Sequence, residues 1–450
     1  MTGSTTPAPA RPTVADPQPW AFPTPVTSRL SNGMAVVHYD LPGQYVVSAS
    51  LVLDHSLAAE PTELEGITAM AMRTITDGTG PNPGERFTEL LENQGAAVGA
   101  DVGQSGTQVM MDVPAPRLGA AMALFAEAIR EPALADQDVR RQVALRQAEI
   151  DQTRANSAAT ATLEFRRRVL HPDARAGRPT GGEHDTVAAL EAEAVREWYA
   201  GHVGPERATL VLGGEFAEDP TTLAEECFGD WDRATDVVEH PRPDRGASRC
   251  VIIDRPGAVQ ADIRLGGWGV DRDDPRWPAL RVAAYPMGGS FNSRLNAELR
   301  EARGYTYGVR LVFTPLRSGG YFATQGSFRT DVVGPALTTA RELLDLGEQS
   351  FTDEEVRDAK AYMTGTSPLQ YATADGVVDQ AGLQLIMDLP QDYLDQSLAK
   401  VLAVTPHDAS EAYRSVVDTD DLNCVIVGDA DALADPVREA GFDPEVITDY

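Results

Sequence analysis

Apolar and polar positions alternate over residues 45–54, with Val47, Ala49, Leu51 and Leu53 on one face and Val46, Ser48, Ser50 and Val52 on the other. A period of two predicts a strand, and both faces are apolar enough to be covered. A shorter strand is predicted over 34–39, behind Gly33. Helical patterns follow at 65–75 and 87–93, the second with Gly95 just beyond its end. Residues 96–113 read as a hairpin turning around 103–106. Over 117–130, Leu118, Met122, Phe125 and Ile129 recur at helical spacing. Residues 136–170 predict one longer helix, with Val139, Val143 and Ile150 on a stripe and His171 and Pro172 at its end. A helix closing at Trp198 and Tyr199 and an apolar strand over 208–213 complete this half.

Pro241, Pro243, Asp244 and Gly246 mark 237–248 as a linker. After it the plan repeats. Strands are predicted at 251–254 and 261–266, helices at 278–285 and 291–303, and paired strands at 305–314 and 320–328. Helices at 332–346 and 352–365 follow. A last strand at 423–428 holds the place that 208–213 holds in the first half. The expected fold class is therefore α+β, built from two similar α/β-sandwich halves, 28–236 and 249–450. Residues 1–27, rich in Pro, Thr and Ala, are expected to form a flexible arm.

Composition narrows the picture. With 42% hydrophobic and 24% charged residues, the chain is globular rather than disordered. No apolar run reaches the length of a membrane span, and the N-terminus lacks the basic start and apolar core of a secretion signal. A cytoplasmic location with no membrane partner is the expectation. A formal net charge of -30 repels polyanions and argues against nucleic acid as a partner. A basic or neutral peptide is tolerated, although plain solubility explains the charge as well. Cys227, Cys250 and Cys424 are scattered and form no CxxC, so buried free thiols are expected rather than disulfides or a thiolate metal site.

Several short fragments add a resemblance. The first half carries Leu30 to Gly33, then Glu65-Gly66, Asp77-Gly78-Thr79, His171-Pro172 and Gly177-Arg178-Pro179. The second carries Arg255-Pro256-Gly257, the run from Gly288-Gly289 to Leu295, Leu299-Arg300-Glu301, and Arg303-Gly304-Tyr305-Thr306-Tyr307-Gly308. In this order and spacing the chain from Ser28 onward resembles the pitrilysin/insulinase family of zinc peptidases, on its mitochondrial-processing-peptidase-like branch.

The resemblance implies half of a clamshell peptidase. Active members carry an inverted motif, H-x-x-E-H, on the helix after Glu65-Gly66, with two histidines on one face for Zn²⁺ and a glutamate for the metal-bound water. Here those five positions read Ala69, Met70, Ala71, Met72 and Arg73. Both histidine positions (Ala69, Arg73) and the glutamate position (Met72) are changed. The third ligand position falls on Gln147, or on Glu149 after a slip. Methyl and thioether groups do not replace imidazole, and Arg73 brings a fixed cation. No cofactor is expected in this chain. His55, His171 and His184 have no partner at metal spacing and are read as structural.

The resemblance also implies what is retained. Arg300 and Tyr307 match the family's substrate-binding pair, and Gly288 and Gly289 match its glycine-rich turn. A guanidinium and a phenol suit peptide carbonyls or a carboxylate. A plainer alternative is Arg300 paired with Glu298 or Glu301, and Tyr307 packed beside Tyr305. The expected role is a catalytically inactive, substrate-binding subunit. It would form a heterodimer with a zinc-bearing paralogous peptidase subunit and help it cleave peptides, such as a precursor or leader peptide. The other expectation kept open is a structural or assembly protein of the same fold with no part in proteolysis.

Overall fold

The computed structural model describes residues 20–236 and 238–450. Its first half runs β1 (Val26–Arg29), β2 (Ala35–Asp40), β3 (Val46–Leu53), α1 (Ile67–Thr74), α2 (Glu85–Gln94), β4 (Ala97–Val102) and β5 (Thr107–Pro114). Then come α3 (Leu118–Arg130), α4 (Asp136–Ala155), α5 (Ser157–Val169), α6 (His184–Ala188), α7 (Ala192–His202), β6 (Ala208–Gly214) and α8 (Pro220–Phe228). No helix or strand occurs among the described residues from 229 to 249.

The second half runs β7 (Cys250–Asp254), β8 (Gln260–Trp268), α9 (Trp277–Ala284), a wide π turn at Tyr285–Gly289, α10 (Arg294–Asn296) and a second π turn at Ala297–Ala302. After it come β9 (Thr306–Pro315), β10 (Gly320–Arg329), α11 (Val333–Leu344), α12 (Asp353–Gln370), α13 (Ala374–Ile386) and α14 (Tyr393–Ala403). The chain closes with α15 (Pro406–Arg414), β11 (Asn423–Gly428), α16 (Ala430–Glu439) and β12 (Pro444–Ile447).

Each half builds one six-stranded sheet, in the orders β1-β2-β6-β3-β5-β4 and β12-β7-β11-β8-β10-β9. Leaving out β1 and β12, the other five strands correspond one to one. In both sheets the first and last of these strands by sequence position in the half, β2 with β6 and β7 with β11, run parallel, and the rest are antiparallel. The outer strand differs: β1 precedes its half and is antiparallel to β2, whereas β12 ends its half and is parallel to β7.

Both faces of β3 are covered, as its alternation predicts. Val47, Ala49, Leu51 and Leu53 pack into a core with α1 and α3 residues such as Met70, Met122 and Phe125. On the other face Val52, with Val37 and Val211, meets Val377, Val378 and Ala381 of α13, a helix from the second half. The second sheet mirrors this. Its one face packs on α9 and α11, and its other face, through Val251, Ile253, Val425 and Val427, packs on Ala161, Phe165 and Val169 of α5 from the first half. The halves thus exchange a helix each.

Three expectations change. The single helix over 136–170 breaks at Asn156, whose extended backbone ends α4 and whose side chain accepts the Ala159 N–H at 2.9 Å to start α5. That break turns α5 onto the second sheet. The helix expected over 291–303 starts only at Arg294 and widens into a π turn. Most of the expected arm lies outside the described residues, but residues 20–27 are not free: Phe22 is buried, Trp20 stacks on Tyr371 and Val26 enters β1. Among the described residues no helix is long and apolar enough to cross a membrane.

Candidate functional site

Helix α1 begins at a buried charge cluster. The Glu60 carboxylate accepts the N–H groups of Gly66 (3.2 Å) and Thr68 (3.0 Å), where the helix leaves donors unpaired. Arg175 clamps Glu60 through Nε (3.0 Å) and Nη2 (2.7 Å), and Arg178 holds Glu65 by three bonds of 2.6–2.9 Å. These four side chains join the Glu65-Gly66 and Arg178-Pro179 fragments across more than a hundred residues of chain. Gly66 has φ +100°, and a Cβ there would lie 2.8 Å from the Gly181 and Gly182 backbone, so only glycine fits.

With its start fixed, α1 turns Ile67, Met70, Ala71, Met72 and Thr74 inward and leaves Ala69 and Arg73 half-buried on the side towards α4 and α7. Met72, at 3% exposure, is a core residue. Arg73 reaches across to α4: its Nη1 donates to Glu149 Oε2 at 2.8 Å, and its Nη2 bonds Glu149 Oε1 as well. Arg146 adds a contact to Glu149 at 3.3 Å. The two guanidiniums, Arg73 first, hold the Glu149 carboxyl below its ordinary pKa. Gln147 is half-buried on the same helix, about 200° round from Glu149. The α4 side chain that meets the altered motif is thus Glu149, the position reached by the slip.

This donor set does not fit zinc. It offers a methyl group, a buried thioether and a guanidinium, and its one carboxylate is already bound bidentately by that guanidinium. Among the described residues no three His, Cys, Asp or Glu side chains gather as a metal group. His55 is buried, bonded to Thr107 Oγ1 at 2.9 Å, and burial lowers its pKa to about 4. His171 and His184 sit near Asp173 and Asp185 at 3.6 and 3.7 Å, towards the surface.

In the second half, Arg300 lies on the π turn that ends at Ala302, just before Gly304. Its guanidinium stacks on the Phe291 ring, 3.4 Å from the centroid, and pairs with Glu301 at 2.7 Å. Tyr307 follows on β9, the edge strand of its sheet, where three residue steps on β9 oppose two on β10. Such a bulge re-aims a side chain. Tyr307 is 95% exposed and Phe291 72%. The phenol therefore stands free of Tyr305, whereas Arg300 makes the Glu301 contact that the plainer alternative anticipated.

Gly288 and Gly289 form the end of the first π turn. Gly288 is buried, and a Cβ on it would meet the Leu311 backbone nitrogen and Cβ at 2.6 Å. Its smallness lets the turn press against β9, behind the surface that carries Tyr307. Gly289 is exposed. Sequence reasoning did not single out Phe291, Glu60 or Arg175 as partners; Phe291 stood inside a quoted fragment, and nothing local marked the other two.

The model of the insulinase family (peptidase family M16) matches residues 35–182, and that of the peptidase M16 inactive domain matches 189–363. An uncharacterized zinc protease of Streptomyces coelicolor is 28% identical over 258 residues, an alignment covering 55% of this chain and 56% of that protein. The non-peptidase homolog YmxG of Helicobacter pylori is 19% identical over 80% of this chain and 84% of its own length. A Pseudomonas fluorescens structure described as a peptidase M16 inactive domain superposes with TM-score 0.84 at 19% identity, covering 90% of this chain and 98% of that one. A chain of complex III2 from Candida albicans superposes with TM-score 0.75 at 16% identity, covering 92% and 99%.

Proposed function

The chain belongs to the insulinase family of peptidases, M16, with the fold of its inactive members, and on that premise we propose that it is the substrate-binding subunit of a heterodimeric metalloendopeptidase. The observation that carries the reading is a contrast between the halves. Arg73 lies on Glu149 where active members place a metal, while Arg300 and the freely exposed Tyr307 keep their spacing. The hydrolytic chemistry belongs to a zinc-bearing paralogous subunit. This chain's share is to hold a peptide by its backbone: the phenol donates to a carbonyl, and Arg300, freed from Glu301, donates to a carbonyl or carboxylate. The three cysteines are free thiols, which suits a reducing compartment such as the cytoplasm.

The test is cleavage by the reconstituted pair. Arg300→Ala is expected to lower kcat/KM by about tenfold or more, the scale of one charge-assisted hydrogen bond, and Tyr307→Phe by about three- to tenfold, the scale of a neutral one, with assembly intact by gel filtration. Unchanged cleavage removes the substrate role. A second reading, an assembly protein of the same fold, is favoured by the pairing of Arg300 with Glu301 and by the likeness to a complex III2 chain. It predicts stable assembly with no effect of either substitution on cleavage.

A further inference from the structure

A cavity of about 540 Å³ opens between α4, α5, the turn at 179–183 and residues 449–450, and Arg146 in its wall also contacts Glu149. Its wall is cationic. Arg146, Arg154, Arg166 and Arg167 line it, against the side-chain carboxylates of Glu183 and Asp449 and beside Tyr450, the last residue of the sequence. In a chain of net charge -30 this is a local inversion.

Two of the four guanidiniums already have partners. Arg167 pairs with Glu164 at 2.7 Å and also with Glu183, and Arg146 pairs with Glu149. The other two pair with no carboxylate among the described residues. Arg154 stands exposed at the rim. Arg166 lies deeper: its Nη2 donates to the Arg178 carbonyl at 2.6 Å, and its Nε is buried without a partner. Burial lowers its pKa. A guanidinium taken from water without a counter-charge is unfavourable, and an anion entering the cavity offsets that cost.

The remaining wall is mixed: Ile150, Leu163 and Pro179 form an apolar patch among Thr153, Thr160 and Thr180. Inorganic phosphate would leave that surface uncovered. An organic acid would not: its carboxylate faces the guanidinium forks and its body covers the apolar side. The volume lies within the roughly 300–1,000 Å³ of small-ligand sites.

We propose that this cavity binds the carboxylate of an organic acid with an apolar body, held by Arg166 and Arg154, and that its source is the free C-terminal end of a peptide. The choice of a peptide end rests on the proposed function; the carboxylate site does not. Arg146 belongs both to the cavity wall and to the Glu149 cluster, so a peptide anchored here emerges beside the altered motif.

The experiment is calorimetric titration of the full chain, alone, with N-acetyl-Leu-Phe as free acid, the same dipeptide as C-terminal amide, and phenylacetate. The acid is expected to bind at least about tenfold more tightly than the amide. Arg154→Gln, at the exposed rim, should bring the acid down to the amide's level; Arg166→Gln should do the same where circular dichroism shows it folded. Equal binding of acid and amide, or unchanged acid binding in Arg154→Gln, overturns the site. Phenylacetate binding as tightly as the dipeptide acid supports the site but overturns the peptide source. No cleavage is read, so failure here leaves the substrate-subunit reading to its own test.

Discussion

Arg73 and Glu149 show how one substitution changes what a site can be. In an active relative a histidine would present a neutral nitrogen at this place; here a fixed cation takes up the Glu149 carboxylate. The pair is about 40% exposed, so its contribution is modest, about 1 kcal/mol or less after solvent screening. Arg73→Ala is expected to lower stability in urea by that amount. The sign of its pH dependence follows from Glu149, whose folded pKa lies below its ordinary 4.5. A lowered carboxyl pKa contributes stability that is present above about pH 4.5 and lost as pH falls through the folded value. The gap between parent and variant should therefore narrow on acidification. A gap that widens in acid would mean that Arg73 is not held by an ionised Glu149.

The π turns around α10 do at the level of local structure what no single side chain does. The first lets Gly288 press on Leu311 of β9; the second ends at Ala302, and Gly304 just beyond it delivers the chain to the bulge that presents Tyr307. Turn, edge strand and phenol are one assembly. Gly288→Ala puts a methyl group 2.6 Å from the β9 backbone, where a main-chain atom cannot yield cheaply. The expected cost is about 1–3 kcal/mol of stability in urea, typical of overpacking. A neutral result would show that the turn and β9 separate easily and do not position Tyr307.

The exchange of α5 and α13 makes the two halves one body. Each sheet buries one face against a helix of the other half, so neither half is complete alone. A single calorimetric transition is expected, with calorimetric and van't Hoff enthalpies in agreement. Phe165→Ala removes a buried ring from the α5 contact with the second sheet and should cost about 3–5 kcal/mol while keeping one transition. Two resolved transitions in the parent protein would separate the halves as independent domains.

Local patterns carried much of this. The alternation of β3 announced a strand with both faces covered, and the repeat of element order announced two similar sheets, because periodicity is written in neighbouring residues. The loss of the metal motif and the spacing of Arg300 and Tyr307 were equally legible, since each lies within a few residues of chain. The short outer strands β1 and β12 were not, for four residues hold too little alternation to register. Nor was the partner of Arg73, 76 positions away, or the joining of Glu60 to Arg175 over 115. Apolar faces state that something must cover them, but not what. That α13 covers the first sheet and α5 the second depends on the break at Asn156 and on shape fitting between distant segments, which only the folded chain brings together.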